Sequence, residues 1–223
     1  MLASDLPAQL SALGPYFALS VGVDGPAWRP LADLPAALPE RIAHVQGELA
    51  RRAGTAVEPR VAASIHQLGF VSRLVAPALG AVALAGVVPR LVDVHWQPVA
   101  GGPVPIAVAS LDVRAGGVAE FAADVLHPLV APVVDGFAAL GVSRLVLWGN
   151  VASALAGAAG MLRRSEVALP VDPVAFVAEL FAAPGPLQAA GRFGVDGRFF
   201  TRATCCLFYR VPNAGKCGDC VLL

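Results

Sequence analysis

Four cysteines crowd into the last nineteen residues, as Cys205-Cys206, ten intervening residues, then Cys217-Gly218-Asp219-Cys220. The rest of the 223-residue chain has none. This segment constrains the fold more than any hydrophobic pattern, because residues 191–223 are broken by glycine, proline and asparagine and show no convincing periodicity. A metal centre can order such a stretch where a core cannot. Three chemistries use clustered thiols: disulfides, structural zinc and iron–sulfur clusters. Disulfides fit poorly. The N-terminal MLASDLPAQL lacks the basic and apolar regions of a signal peptide, so a reducing, cytoplasmic location is expected. The chain is also long enough to bury a core without staples. Zinc sites usually bring two spaced knuckles, whereas Cys205-Cys206 has no spacer. Adjacent side chains of an extended segment point to opposite faces, which suits the two irons of a [2Fe–2S] rhomb better than one tetrahedral ion. Ligand geometry thus favours the cluster and keeps zinc as the alternative.

Charged residues make up 14% of the chain and sum to zero, so no basic face for nucleic acid is expected. The mean hydropathy of +0.67 raises the question of a membrane. The longest uncharged runs are Leu74–Pro89, interrupted by proline, and Leu145–Leu162, which contains Gly149, Asn150, Ser153, Gly157 and Gly160. A span needs about twenty strongly apolar residues. Both runs are read as buried core helices, with peripheral contact at the inner membrane face as a further expectation.

Along the chain, residues 4–13 predict a short helix capped by Ser4 or Asp5. A helix starting at Pro39 carries Ile42, Val45 and Leu49 and stops at Gly54. Another opens at Pro59 and is expected to kink or divide at Pro77. Leu91–Gln97 alternates, with Leu91, Asp93, His95 and Gln97 on one face and Val92, Val94 and Trp96 on the other. Together with Gly101-Gly102 and Val104–Ala109 it predicts a hairpin. Helices follow over 127–140, from Ser143 to Arg164, and from Asp172-Pro173 to Pro184. The expected fold is α+β: a mainly helical domain, residues 1–188, around a small antiparallel hairpin or sheet, then an irregular iron–sulfur-binding segment, residues 189–223.

The terminal pattern CC-x10-C-x2-C, within Thr-Cys-Cys-Leu-Phe-Tyr-Arg-Val-Pro-Asn-Ala-Gly-Lys-Cys-Gly-Asp-Cys, resembles the FhuF-like ferric-siderophore reductases. Leu147-Trp148-Gly149-Asn150-Val151-Ala152-Ser153 resembles that family's central WGN motif. The resemblance implies that Cys205, Cys206, Cys217 and Cys220 hold a [2Fe–2S] cluster. It implies a reaction in which one electron passes to Fe(III) chelated by a siderophore, of hydroxamate type, releasing Fe(II) in the cytoplasm. A separate donor, such as a ferredoxin or a flavoprotein reductase, is expected, because the chain has no GxGxxG and no GxxxxGK[ST]. Competing readings are a zinc-stabilised ferric-chelate carrier without redox activity and an iron or redox sensor.

Around the cysteines, residues 191–223 set Arg192, Arg198, Arg202, Arg210 and Lys216 against Asp196 and Asp219. Cationic neighbours favour the more negative, reduced cluster. Arg198, Arg202, Arg210 and Lys216 are therefore candidates for cluster environment and substrate docking. Trp148 and Asn150 are read either as packing and helix-start residues or as a floor under the cysteine segment. Gly215 and Gly218 are expected to admit backbone N–H groups to the sulfurs, and Phe199, Phe200, Phe208 and Tyr209 to exclude water. Arg73 resembles a position where the family keeps arginine and is read as a helix-surface residue.

Overall fold

A computed structural model describes residues 5–223 apart from Asp196 and Arg198. Helix α1 (Leu6–Ala12) leads into β1 (Ser20–Val21), β2 (Arg29–Pro30) and α2 (Leu34–Ala53). Pro35, in the first turn of α2, has the position that tolerates proline, so the helix begins five residues before Pro39, which lies inside it. Helix α3 (Pro59–Ala85) then runs 27 residues without division, through Pro77. Gly86 closes it in the left-handed conformation (φ 66°), as a helix end favours.

Strands β3 (Val87–Trp96) and β4 (Ile106–Ala115) form the hairpin, longer than the sequence suggested. The sheet order is β1-β4-β3-β2, with β1 parallel to β4, so the sheet is mixed where an antiparallel one was expected. The expected alternation also fails at one point. Asp93 has φ 52°, and the register runs on from Val92↔Ser110 to Val94↔Val108. Leu91 and Val94 are both buried, while Val92 is 42% exposed. A left-handed residue in the strand thus shifts the inward face from odd to even positions.

Beyond the hairpin, α4 (Val118–Phe121) continues through a π-helical stretch, Ala122–Val130, into α5 (Ala131–Ala138). The sequence predicted a helix only from His127, because Pro128 and Pro132 lack the N–H that an α-helical ladder needs. Widening to π-type turns lets helical backbone pass such positions. Helix α6 (Arg144–Arg164) and α7 (Pro173–Ala182) follow, the latter capped by Asp172, whose carboxylate accepts from Val174 N at 2.9 Å. Ser143 stands at the N-cap of α6, but its side chain makes no cap bond.

Helices α3 and α6 pack side by side at the centre. Residues of α3 are buried on every side, as befits a helix inside the core. Three helices, Pro59–Ala85, Val118–Ala138 and Arg144–Arg164, are long and apolar enough to cross a membrane by length and composition alone. In the two central ones most of the apolar window, 78% and 61%, is buried inside the molecule, where it meets protein rather than lipid.

Arg73 is not at the surface. It is 2% exposed, inside α3, and donates to Val104 O at 2.7 Å, Ala18 O at 2.6 Å and Tyr16 O. Burial pulls its guanidinium down to about 10. The side chain ties the chain before β1 and the turn before β4 to the central helix.

Candidate iron–sulfur centre

The floor of the site is built from α3 and α6. Asn150, fully buried on α6, donates from Nδ2 towards Ser64 O (3.0 Å), Ser64 Oγ (3.1 Å) and Gln67 Oε1 (2.9 Å) on α3. Its Oδ1 accepts from Arg202 Nη2 at 2.7 Å. Ser64 Oγ donates to the carbonyl of Cys206 at 2.8 Å. One asparagine therefore couples both central helices to the cysteine segment. Sequence reading raised Asn150 as a floor residue but missed Ser64 and Gln67. Two polar residues one turn apart within the apolar run of α3 were the available signal.

Gly149 supplies the close approach. A Cβ there would lie 2.0 Å from Thr204 Oγ1 and 3.0 Å from Arg202 Nη2. Thr204 Oγ1 in turn donates to Leu145 O at 3.1 Å, on the first turn of α6. The middle of the WGN motif is thus a seat for the residue preceding the cysteines. Trp148 is half-buried against the main core.

Arg202 ends β6 (Phe200–Arg202), which pairs antiparallel with β5 (Gly191–Phe193). This small sheet lies in a stretch where the sequence showed no periodicity. Arg202 is 1% exposed, and its Nε donates to Thr204 O. Its Nη1 has no hydrogen-bond partner among the described residues. Arg210 is exposed and ion-paired with Glu58 at the start of α3, Nε to Oε1 at 2.8 Å. Lys216 is exposed and donates to Leu222 O at 2.5 Å. Arg198 lies outside the described residues. Among the described basics of the segment, Arg202 is thus buried and Arg210 is neutralised from the helical body, while Arg192 and Lys216 are exposed.

A second, smaller apolar cluster seats the loop between the cysteine pairs. Val211, 6% exposed, packs with Val57 and Val61, and Leu207 and Phe208 lie against them. Phe200 packs instead at a tilt against Phe181 and Phe193, at centroid distances of 5.5 and 5.4 Å. Phe199 and Tyr209 face solvent, 73% and 45% exposed. Only half of the expected aromatic shield turns inward.

Two of the thiols meet: Cys206 Sγ and Cys217 Sγ are 3.4 Å apart. Cys206 and Cys220 are buried, Cys205 and Cys217 half-buried. Leu207, left-handed at φ 68°, bends the chain after the adjacent pair, and its N–H donates to Cys205 Sγ at 3.3 Å. Leu222 N–H does the same for Cys220 Sγ at 3.4 Å. The donors to sulfur are thus these two leucines, rather than Gly215 and Gly218.

Burial raises the Cys205 thiol above the ordinary range. Leu207 N–H opposes that, Cys206 and Cys220 add to it, and Arg202 pulls the other way. Burial likewise raises Cys217, reinforced by hydrogen bonding to Cys206 and Asp219. Four thiolates so close would repel one another, so the set asks for a cationic core to release its protons. No three of the His, Cys, Asp and Glu side chains among the described residues converge as a ligand set for one ion, and the thiol contact in the segment is that of Cys206 with Cys217. Soft sulfur donors, two N–H groups aimed at sulfur and an unpartnered buried guanidinium N–H all fit an anionic iron–sulfur group.

Residues 202–222 match the FhuF 2Fe-2S C-terminal domain. The likeness seen in the terminal cysteines is thereby shown for that segment, and the domain's cofactor is a [2Fe–2S] cluster. Among curated proteins none matches the chain. The FhuF-type match begins at Arg202, the residue held by Asn150, and stops one residue short of the chain's last.

Proposed function

We propose that this protein is a ferric-siderophore reductase of the cytoplasm, in which Cys205, Cys206, Cys217 and Cys220 hold the [2Fe–2S] cluster. The observation that carries the reading is the FhuF 2Fe-2S match over a segment that Asn150 of the WGN motif anchors and in which Cys206 Sγ and Cys217 Sγ are 3.4 Å apart. When bound, the cluster supplies single electrons at the surface of the cysteine segment.

The chain's residues do the rest by position. Asn150 fixes Arg202, whose cation lies within electrostatic reach of Cys205 and favours added negative charge there. The N–H groups of Leu207 and Leu222 act in the same sense on two sulfurs. Arg202 and Asn150 touch no reacting atom here and are positioning residues. The substrate Fe(III), held by hard hydroxamate oxygens, accepts one electron and becomes Fe(II), whose bonds to those oxygens are weaker. A step uphill by roughly 120 mV still proceeds if ferrous iron is held about a hundredfold below equilibrium. An external ferredoxin or flavoprotein reductase restores the electron.

The test is a single turnover. Protein reduced with dithionite and freed of excess reductant is mixed with a ferric hydroxamate and a ferrous trap. One trapped Fe(II) per cluster is expected. A centre that stays reduced with no Fe(II) trapped overturns the reductase reading and leaves the sensor. One zinc per chain with no acid-labile sulfide leaves the carrier.

A further inference from the structure

Beside the cysteine segment, α6 and its neighbours leave an open groove. Next to the thiol loop it is a hollow of about 410 Å³ walled by Ser153, Gly157, Arg164, Phe199, Gly218 and Asp219. It continues between α3 and α6 as a second hollow of about 520 Å³, which shares Ser153, Gly157 and Arg164 and reaches Gly69 on α3. Both volumes fall within the range of small-molecule sites.

Several observations give this groove a role. Gly218 and Asp219 lie between Cys217 and Cys220, so one wall is the thiol loop itself. That wall is pinned, because Asp219 accepts from Ser153 Oγ of α6 and its carbonyl from Arg202 N at 3.1 Å. The glycines are informative by contrast. Gly149 has Thr204 pressed against it, and Gly80 has Leu10 at 2.6 Å, so both are required by packing. Gly157 and Gly69 are mid-helix too, yet a Cβ on either would meet no atom within 4 Å. A glycine there costs about 0.5–1 kcal/mol relative to alanine. Gly47 of α2 is as open, but Gly157 and Gly69 lie in the lining of the groove and leave its floor without side chains. Phe199 adds an exposed aromatic wall to that space.

Arg164 lies back over Gly160, its Nη1 3.3 Å from where a Cβ would stand. Among the described residues of the lining, Arg164 and Asp219 bring one charge of each sign.

We infer that this groove seats the ferric chelate against the Cys217–Cys220 loop. The inference rests on the reductase reading. In the seated complex one electron moves from the reduced centre to Fe(III), giving Fe(II). No bond to the protein forms or breaks.

The experiment fills the groove from its floor. Gly157→Trp, with open space before it, is compared with wild type and Gly157→Ala, using cluster-loaded protein. Binding is read by titrating the redox-inert gallium(III) tris-hydroxamate into oxidised protein, and turnover by trapped Fe(II). The expected result is at least about tenfold weaker gallium-chelate binding in Gly157→Trp, with an unchanged visible spectrum and unchanged reduction by dithionite, and a smaller loss of binding in Gly157→Ala. If Gly157→Trp does not fold, Phe199→Ser, at an exposed position, decides the matter by a several-fold loss of binding. Wild-type binding in the folded variant overturns the groove, while Fe(II) production by wild type keeps the reductase reading. A wild-type protein that neither binds nor reduces any chelate overturns that reading itself.

Discussion

Two arginines are buried to nearly the same degree, and the two regions that hold them treat the charge differently. Arg73, in the middle of α3, spends its guanidinium on three backbone carbonyls from two separate stretches of chain. Arg202, at the edge of the cysteine segment, is held along one side by Asn150 and Thr204 and keeps Nη1 without a partner among the described residues. A buried donor left unpaired costs about 1–3 kcal/mol. At Arg73 the fold itself supplies the partners, and that arginine is architecture. At Arg202 one donor is left over beside the cysteine segment, as donors also are at Trp96, His66 and Arg41 in the helical body.

The sharpest way to break that comparison is to remove a thiol. Cys217→Ser should bring iron and acid-labile sulfide to background and bleach the visible spectrum, while the far-ultraviolet circular dichroism of the helices survives. Collapse of the helical signal would mean that body and segment do not stand apart. Next come the arginines themselves. Arg73→Met strands three carbonyls and should lower the stability of both the cluster-free and the loaded protein by about 3 kcal/mol or more. Arg202→Met should instead hasten loss of the cluster to a chelator by about tenfold or more, with a smaller change in cluster-free melting. Equal chelator resistance in the two variants would erase the distinction.

The body should also have its own response to acid. His66, packed between Phe70 and Phe137, is pushed down to about 4, chiefly by burial and then by Arg41 and His44. Its folded pKa lies below the unfolded value, so the unfolded chain takes up the proton first as pH falls. The stability it contributes is whole above about pH 6.5 and is lost between there and about pH 4, roughly 3 kcal/mol in all. Melting of cluster-free protein across this window, with His66→Leu as reference, would expose an error if the two slopes coincide. The smallest effects separate two glycines of α6. Gly149→Ala should cost about 1–3 kcal/mol through its clash with Thr204, and Gly157→Ala should stabilise by about 0.5–1 kcal/mol. Melting curves with the same sign for both would remove the contrast between a packed glycine and an open one.

Much of the centre was legible because its signals are local. The cysteine spacing and the WGN motif lie within short windows, and the two meet at Asn150 and Arg202. What stayed hidden depends on long-range placement. Nothing near Arg73 in the sequence announces that its partners come from residues 16, 18 and 104, so a surface position was the natural expectation. Pro77 and Pro39 signal breaks that tertiary burial overrides, and the start of α4 is masked by prolines that a π-helical stretch accommodates. In the hairpin, Asp93 leaves no sequence mark of its left-handed backbone, so the inward face was assigned on one phase throughout. The parallel pairing of β1 rests on two residues, too few for any periodicity.

The uneven depth of the four sulfurs has a practical consequence. Cys205 and Cys217 are half-buried, whereas Cys206 and Cys220 are 3% and 4% exposed. A small alkylating reagent added to protein stripped of its metal will therefore consume thiols in two waves, the outer pair before the inner. Damage to the outer pair alone is enough to spoil a set of four, so handling losses will begin while half of the sulfhydryl titre is still intact.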